Sequence, residues 1–340
     1  MTRSRTPNRF VGWAFVYWSL ASVASVGAAE APVPARVAAL AARSLLTALA
    51  VSPSGQLLAA GERGHILLSR DGGAHWRQSS VPVDALLTAA CFVDDQVGYV
   101  VGHDETILAT ADGGSHWRIA HFAPDTAQPF LSVACDRSGD VIAVGAYATL
   151  ARSTDHGQTF AITELSAAPL KEKKRPARMD DDADLEQPHL NAIARSSDGT
   201  VYIAGEAGHL YRSDDHGHQW VALPSPYAGS FFAVQPIGEA GVIAAGLRGH
   251  LFRSADRGQH WVDIRSGVDA LLDGATILPD GRVVIVGLAG VVLISTDGAQ
   301  TFSSSRMADR KGMAAVVAGP AGPIIVGENG VRRLSLNSRE

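Results

Sequence analysis

Ser69-Arg70-Asp71-Gly72-Gly73-Ala74-His75-Trp76 is one copy of a pattern, Ser/Thr-x-Asp-x-Gly-x-x-Trp/Phe, that runs through the chain. It returns from Thr110 to Trp117 around Asp112, from Ser153 to Phe160 around Asp155, and from Ser213 to Trp220 around Asp215. Two further copies run from Ser254 to Trp261 around Asp256 and from Ser295 to Phe302 around Asp297, with Ala299 in the glycine's place. Measured between the closing aromatics the period is about 41 to 43 residues, apart from one interval of about 60 between Phe160 and Trp220. A fixed period of this length signals one supersecondary unit used many times over.

Ahead of each copy stands an apolar run that ends in glycine and a short turn. Leu58-Ala59-Ala60-Gly61-Glu62-Arg63-Gly64 and Tyr202-Ile203-Ala204-Gly205-Glu206-Ala207-Gly208 are examples. Ile324-Ile325-Val326-Gly327-Glu328-Asn329-Gly330 is a seventh run, with no Asp motif after it. Each repeat therefore reads as four short strands: inner, second, third and outer. In the second repeat these fall at about 86–93, 97–102, 106–111 and 116–122. Four strands per roughly 40-residue repeat specify an all-β, seven-bladed β-propeller with antiparallel blades. The seventh repeat has three strands. Val33 to Leu40, which has no place in the first blade, is expected to supply its fourth and close the ring, since an open ring would leave sheet edges exposed.

The Asp motif is the hairpin between third and outer strands. The carboxylates of Asp71, Asp112, Asp155, Asp215, Asp256 and Asp297 can accept backbone N–H bonds across the turn. The glycine supplies a positive φ. The rings of Trp76, Trp117, Phe160, Trp220, Trp261 and Phe302 bury against the neighbouring sheet. These residues are assigned a structural role.

The N-terminus reads as an address. Arg3, Arg5 and Arg9 precede an apolar run from Phe10 to Val26, and small residues lead to Glu30. That order describes a secretory signal peptide over residues 1–29, cut after Ala29, with the propeller filling 30–340. The mature chain is expected to be soluble, monomeric and periplasmic, without insertion into the membrane. The formal net charge of -5 gives no bulk reason to expect nucleic acid or an anionic surface as partner. Cys91 and Cys135 are the two cysteines. They fall on inner strands of neighbouring blades. An oxidising compartment permits a disulfide, but its tight geometry favours two buried thiols.

Alternation of strands sorts the loops onto two faces. The Asp motifs share one face. The second–third turns and blade-to-blade links share the other, which carries the variable chemistry: Glu62, Arg63, His103, Asp104, Glu105, Tyr147, Glu206, Leu247, Arg248, Glu328 and Asn329. Loops on a rigid scaffold are where binding resides, so this face is the candidate. The long interval places a charged insertion, 167–188, on it as well; Lys171 to Arg175 and Asp180 to Asp184 make it self-neutralising and solvated. His65, His209 and His250 recur at one repeat position, and His75, His116 and His260 at another. Neither set converges, so neither a metal nor a cofactor is expected.

The Asp motifs resemble the bacterial neuraminidase repeat, or Asp box. Together with the Val-x-Gly strand and the Glu/Arg-x-Gly turn, the chain resembles the photosystem II assembly and stability factor family over roughly residues 40–335, as a non-photosynthetic relative. The resemblance implies a non-catalytic exported propeller that docks onto or helps assemble a membrane protein or exported client. Cyanobacterial members carry a basic patch on the ring, of which only Arg63 and Arg248 are matched in the second–third turns here. Sialidases and xyloglucanases share the motif. A sialidase needs three arginines and a Tyr–Glu pair, for which Tyr147 and Glu206 in different blades are the nearest candidates.

Overall fold

The computed structural model describes residues 31–168 and 187–336. Residues 1–30, which include the expected signal peptide, residues 169–186 of the charged insertion and the last four residues lie outside the described residues. The described residues form one compact unit. Seven antiparallel sheets follow one another along the chain, five of them four-stranded. The blade after the insertion has a fifth, parallel strand, Ala167–Ala168, beside its outer strand Trp220–Ala222. The last blade has three strands, Met313–Gly319, Gly322–Gly327 and Arg332–Arg333. The second blade shows the standard unit: Leu87–Phe92, Gly98–Gly102, Ile107–Thr110 and Arg118–His121. Among the described residues no helix is long and apolar enough to cross a membrane.

Burial explains the sequence of the second strands. Leu57–Gly61, Gly98–Gly102, Val141–Gly145, Val201–Gly205 and Val283–Gly287 are buried at every residue. A strand covered on both faces by neighbouring blades reads as an unbroken apolar run. The glycine that ends each run is fixed by close approach. A Cβ at Gly61 would lie 2.3 Å from the carbonyl oxygen of Leu45; at Gly102, 2.3 Å from that of Leu86; at Gly287, 2.0 Å from that of Leu271. The same contact recurs at Gly145, Gly205, Gly246 and Gly327. Next to it the pairing slips by one residue in every blade, as between Leu46 and Ala48 or Leu272 and Gly274. The extra residue is a β-bulge, and it turns one side chain per blade toward the axis.

The Asp turns are built alike in all six copies. In the first, Asp71 Oδ1 accepts the N–H groups of Ala74 and His75, both at 3.0 Å, and the Ser69 hydroxyl at 2.8 Å. The Ser69 oxygen in turn accepts the N–H of Gly73 at 2.9 Å. In five copies the second carboxylate oxygen takes a side chain four residues on: the imidazole of His75, His116 or His260, or the hydroxyl of Thr159 or Thr301. That histidine set therefore completes the turns. The glycine is demanded twice over at Gly157 and Gly217, where φ is positive and a Cβ would meet Tyr99 at 2.3 Å or Ile142 at 2.2 Å. Ala299 adopts the same left-handed backbone, with φ 63°. Backbone N–H donation from His116, then its imidazole, holds the Asp112 carboxyl down at about 2, and His260 does the same for Asp256.

Arginines stitch four of the blades to the turn of the next. Arg118 donates to the Gly157 carbonyl at 2.7 Å, Arg212 to that of Arg257 at 2.8 Å, and Arg253 to that of Gly298 at 2.9 Å. Arg333 reaches the Gly72 carbonyl with two nitrogens, at 3.1 and 2.9 Å, across the junction of last and first blades.

Two expectations are corrected. Val33 to Leu40 does not complete the seventh blade. It forms no strand and runs along the first blade instead: Ala35 N donates to Val81 O at 3.0 Å, and Ala38 N to the Gln78 side chain at 2.9 Å. Pro32 and Pro34 lack the donors a ladder needs, and the 3-10 turn Ala41–Arg43 redirects the chain. The ring closes through packing of Ala41, Leu46, Leu49 and Leu57 on Ile324 and Val326, with Val331 N bonded to Ala42 O at 3.0 Å. The cysteines are not two thiols. Cys91 and Cys135 form a disulfide, with Cα atoms 6.1 Å apart, because inner strands of adjacent blades converge on the axis to within the span of the bond.

Replacing both cysteines by serine is expected to lower unfolding stability by about 2–4 kcal/mol, from the loop entropy the bond removes from the unfolded chain; urea midpoints of the oxidised protein and the variant measure it. The Asp turns set a second expectation. Their folded carboxyls titrate below the unfolded value near 4, so their stabilisation is full above about pH 4 and is lost as pH falls toward 2. Asp112→Asn keeps an acceptor for the His116 N–H but cannot titrate. Its stability should fall less steeply than wild type across that window, as read from urea curves at pH 7, 4 and 2.5.

Candidate binding site

Of the seven turns between second and third strands, six carry a left-handed non-glycine residue, among them Arg63, Asp104, Tyr147 and Arg248, and the seventh turns at Gly330. In four of them the turn is a single 3-10 unit ending in a buried glycine. This geometry holds the preceding residue against the start of the inner strand. Glu62 Oε1 accepts the N–H of Leu45 at 3.3 Å, and Glu206 Oε2 that of His189 at 3.1 Å. Both carboxylates thus cap an inner strand. Glu105 is buried and meets His121 Nε2 at 3.0 Å, binding the turn to the outer strand of its own blade. His65 is buried too; its Nδ1 lies 3.1 Å from the Ser44 hydroxyl, and burial lowers its pKa.

The remaining candidates divide into four places. Arg63 and His103 are exposed on the first and second blades. Tyr147, 51% exposed, stands edge-on to His189 with ring centroids 5.0 Å apart, and His189 Nδ1 lies 3.6 Å from Glu206. Tyr147 and Glu206, assigned to different blades, are therefore joined through one histidine, beside the point where the charged insertion rejoins the fold. Glu328 and Asn329 belong to a mixed cluster, paired with Lys311 at 3.5 Å and Asp309 at 3.3 Å; Arg332 also holds Asp309, at 2.6 Å.

Arg248 has the most distinctive surroundings. It borders a hollow of about 740 Å³ between the fifth and sixth blades, shared with Arg265, Arg306, Asp263 and Asp269. Arg306 is held by the Ala289 carbonyl at 3.3 Å and by Asp269 at 3.4 Å. Arg248 and Arg265 are exposed and have no acidic partner among the described residues. Arg265 and Arg306 were missed from the sequence, although a signal was present. Each stands four residues after its repeat's aromatic, Trp261 or Phe302, where other repeats have Ser80, His121, Glu164 and Pro224. That position ends the outer strand on the candidate face. Two free guanidiniums and a third anchored one, in a concave setting, suit bidentate capture of carboxylates.

On the opposite face Asp136, Asp140 and His216 come close enough to share a cation. Arg195 already holds Asp136, and Arg152 lies 3.4 Å from Asp140, so the carboxylates are neutralised within the protein.

A closed ring of repeated antiparallel sheets, with variable turns on one face and a guanidinium-lined hollow among them, defines a seven-bladed propeller. The model of the photosynthesis system II assembly factor YCF48 family matches residues 73–262, and the chain belongs to that family. Among solved structures, YCF48 bound to D1 peptide is 14% identical, with a TM-score of 0.66 over 89% of this chain and 98% of that one. YCF48 from Cyanidioschyzon merolae is 16% identical, with a TM-score of 0.64 over 89% and 98%. A virginiamycin B lyase from Staphylococcus aureus with quinupristin is 12% identical, with a TM-score of 0.66 over 88% and 97%. At these identities the likeness is one of fold. No curated protein matches the chain.

Proposed function

We propose that this protein is an exported, non-catalytic docking or assembly factor that holds a carboxylate-bearing segment of a protein client in the hollow between its fifth and sixth blades. The observation that carries the reading is the pair of exposed, unpartnered guanidiniums of Arg248 and Arg265 beside anchored Arg306. Family membership supports it, and a propeller of the same fold holds a D1 peptide. Export to the periplasm is supported by the basic–apolar–small order of residues 1–29 and by the Cys91–Cys135 disulfide, a bond of oxidising compartments. The client is a membrane-associated or exported protein.

The hydrolase reading gains one element, three arginines around one hollow. It loses another: Tyr147 and Glu206 lie with His189 at the junction of the third and fourth blades, apart from those arginines. A catalytic pair must stand within a few ångströms of the bound sugar.

Affinity capture from detergent-solubilised membranes tests the proposal. Wild-type protein is expected to enrich a client, and the double variant Arg248→Glu, Arg265→Glu to retain at least about tenfold less, with wild-type capture weakening as salt rises. Equal capture by the variant, or no enriched protein with wild type, would count against the assignment. Purified protein is expected to release no dye from aryl glycosides.

A further inference from the structure

The inner-strand bulges place one residue per blade around the axis: Thr47, Thr88, Leu131, Asn191, Phe232, Asp273 and Ala314. All seven line an axial cavity of about 470 Å³, whose wall is otherwise made of the inner strands themselves. Inner strands begin on the face that carries the variable turns, so this ring sits toward that mouth.

Three of the four polar members of this ring, Thr47, Thr88 and Asn191, each donate to the next blade, and Asp273 does not. Thr47 donates its hydroxyl to the carbonyl of Leu87, the first inner-strand residue of the next blade. Thr88 donates to Phe130 O at 2.6 Å, and Asn191 to Phe231 O at 2.8 Å. The corresponding acceptor for Asp273 is the carbonyl of Met313, and an ionised carboxylate has no proton to give it. No hydrogen bond or ion pair to the Asp273 side chain is found among the described residues. No other ionisable side chain lines the cavity. Burial alone pushes its carboxyl up to about 7. The bulge residue of the preceding blade, Phe232, adds an aromatic ring to the same wall. A half-buried carboxylate without a counter-charge, in a ring that also holds an aromatic side chain, offers the two features of an ammonium site: opposite charge and an aromatic ring.

We propose that the axial cavity binds a small primary alkylammonium ion, with Asp273 as its charge partner. The site is separate from the arginine hollow and does not depend on the client-binding proposal. Bound ammonium and the carboxyl proton exclude each other, so binding strengthens as Asp273 ionises. Affinity should rise about tenfold per pH unit on the acid side of the carboxyl's midpoint and level off on the alkaline side.

n-Butylammonium chloride is the probe, with butan-1-ol as its neutral counterpart and sodium chloride at matched ionic strength as the charge control. Isothermal titration of the mature protein at pH 8 should show butylammonium binding that neither control reproduces and that weakens at least tenfold in Asp273→Asn. That variant is expected to fold, because Asn191 occupies the same position in the fourth blade. A second measurement needs no variant. The ¹³C carboxyl resonance of Asp273 in wild type should titrate at a midpoint lower by about one pH unit or more when amine saturates the site. Equal binding by Asp273→Asn, equal binding of butan-1-ol, or a carboxyl midpoint unmoved by the amine would each overturn the proposal.

Discussion

One backbone contact organises every blade. The carbonyl just before each inner strand lies against the α-carbon of the glycine that ends the second strand, leaving no room for a Cβ. That approach cannot be accommodated in an even ladder, so the pairing slips by one residue. The slip has two products. Outward, it leaves the tight second–third turn seated against the link to the next blade. Inward, it rotates one side chain toward the axis. The variable face and the axial ring are therefore two ends of the same local distortion, repeated seven times.

The rest of the ring is held by turns that satisfy themselves and then bond their neighbours. A carboxylate and a hydroxyl organise each Asp turn from within, while arginines of one blade take the carbonyls of the next turn. Four of the seven junctions carry such an arginine–carbonyl bond among the described residues. The apolar clusters likewise span pairs of blades and do not stay within one, as where Ile142 and Val144 of the third blade pack with Trp220 of the fourth. Stability is shared between neighbours, as in other repeat proteins.

The fold was legible because the repeat is written in chemically unambiguous residues. An Asp, a Gly and an aromatic at fixed spacing give the turn, and a buried run ending in Gly gives the strand. What escaped was set by geometry across blades. The disulfide depends on how tightly Cys91 and Cys135 converge at the axis, which spacing along the chain does not encode. Glu62 and Glu206 looked like free surface carboxylates, yet backbone donors one strand away occupy them. The closing role given to Val33–Leu40 rested on strand counting and ignored Pro32 and Pro34. Arg265 and Arg306 were readable only by aligning repeats past the aromatic. Asp273 was hidden because a bulge, invisible in an apolar run, decides which residue of the inner strand meets the axis.

The incomplete last blade gives the circle an orientation. Blades two and three are welded by a covalent bond, whereas among the described residues the first and seventh meet through side-chain packing, one backbone hydrogen bond and the grip of Arg333 on Gly72. Mechanical load or thermal fraying will therefore concentrate at that seam, about a third of the circumference from the weld. The annulus behaves as a clasp, with a fixed rivet and a defined place to part.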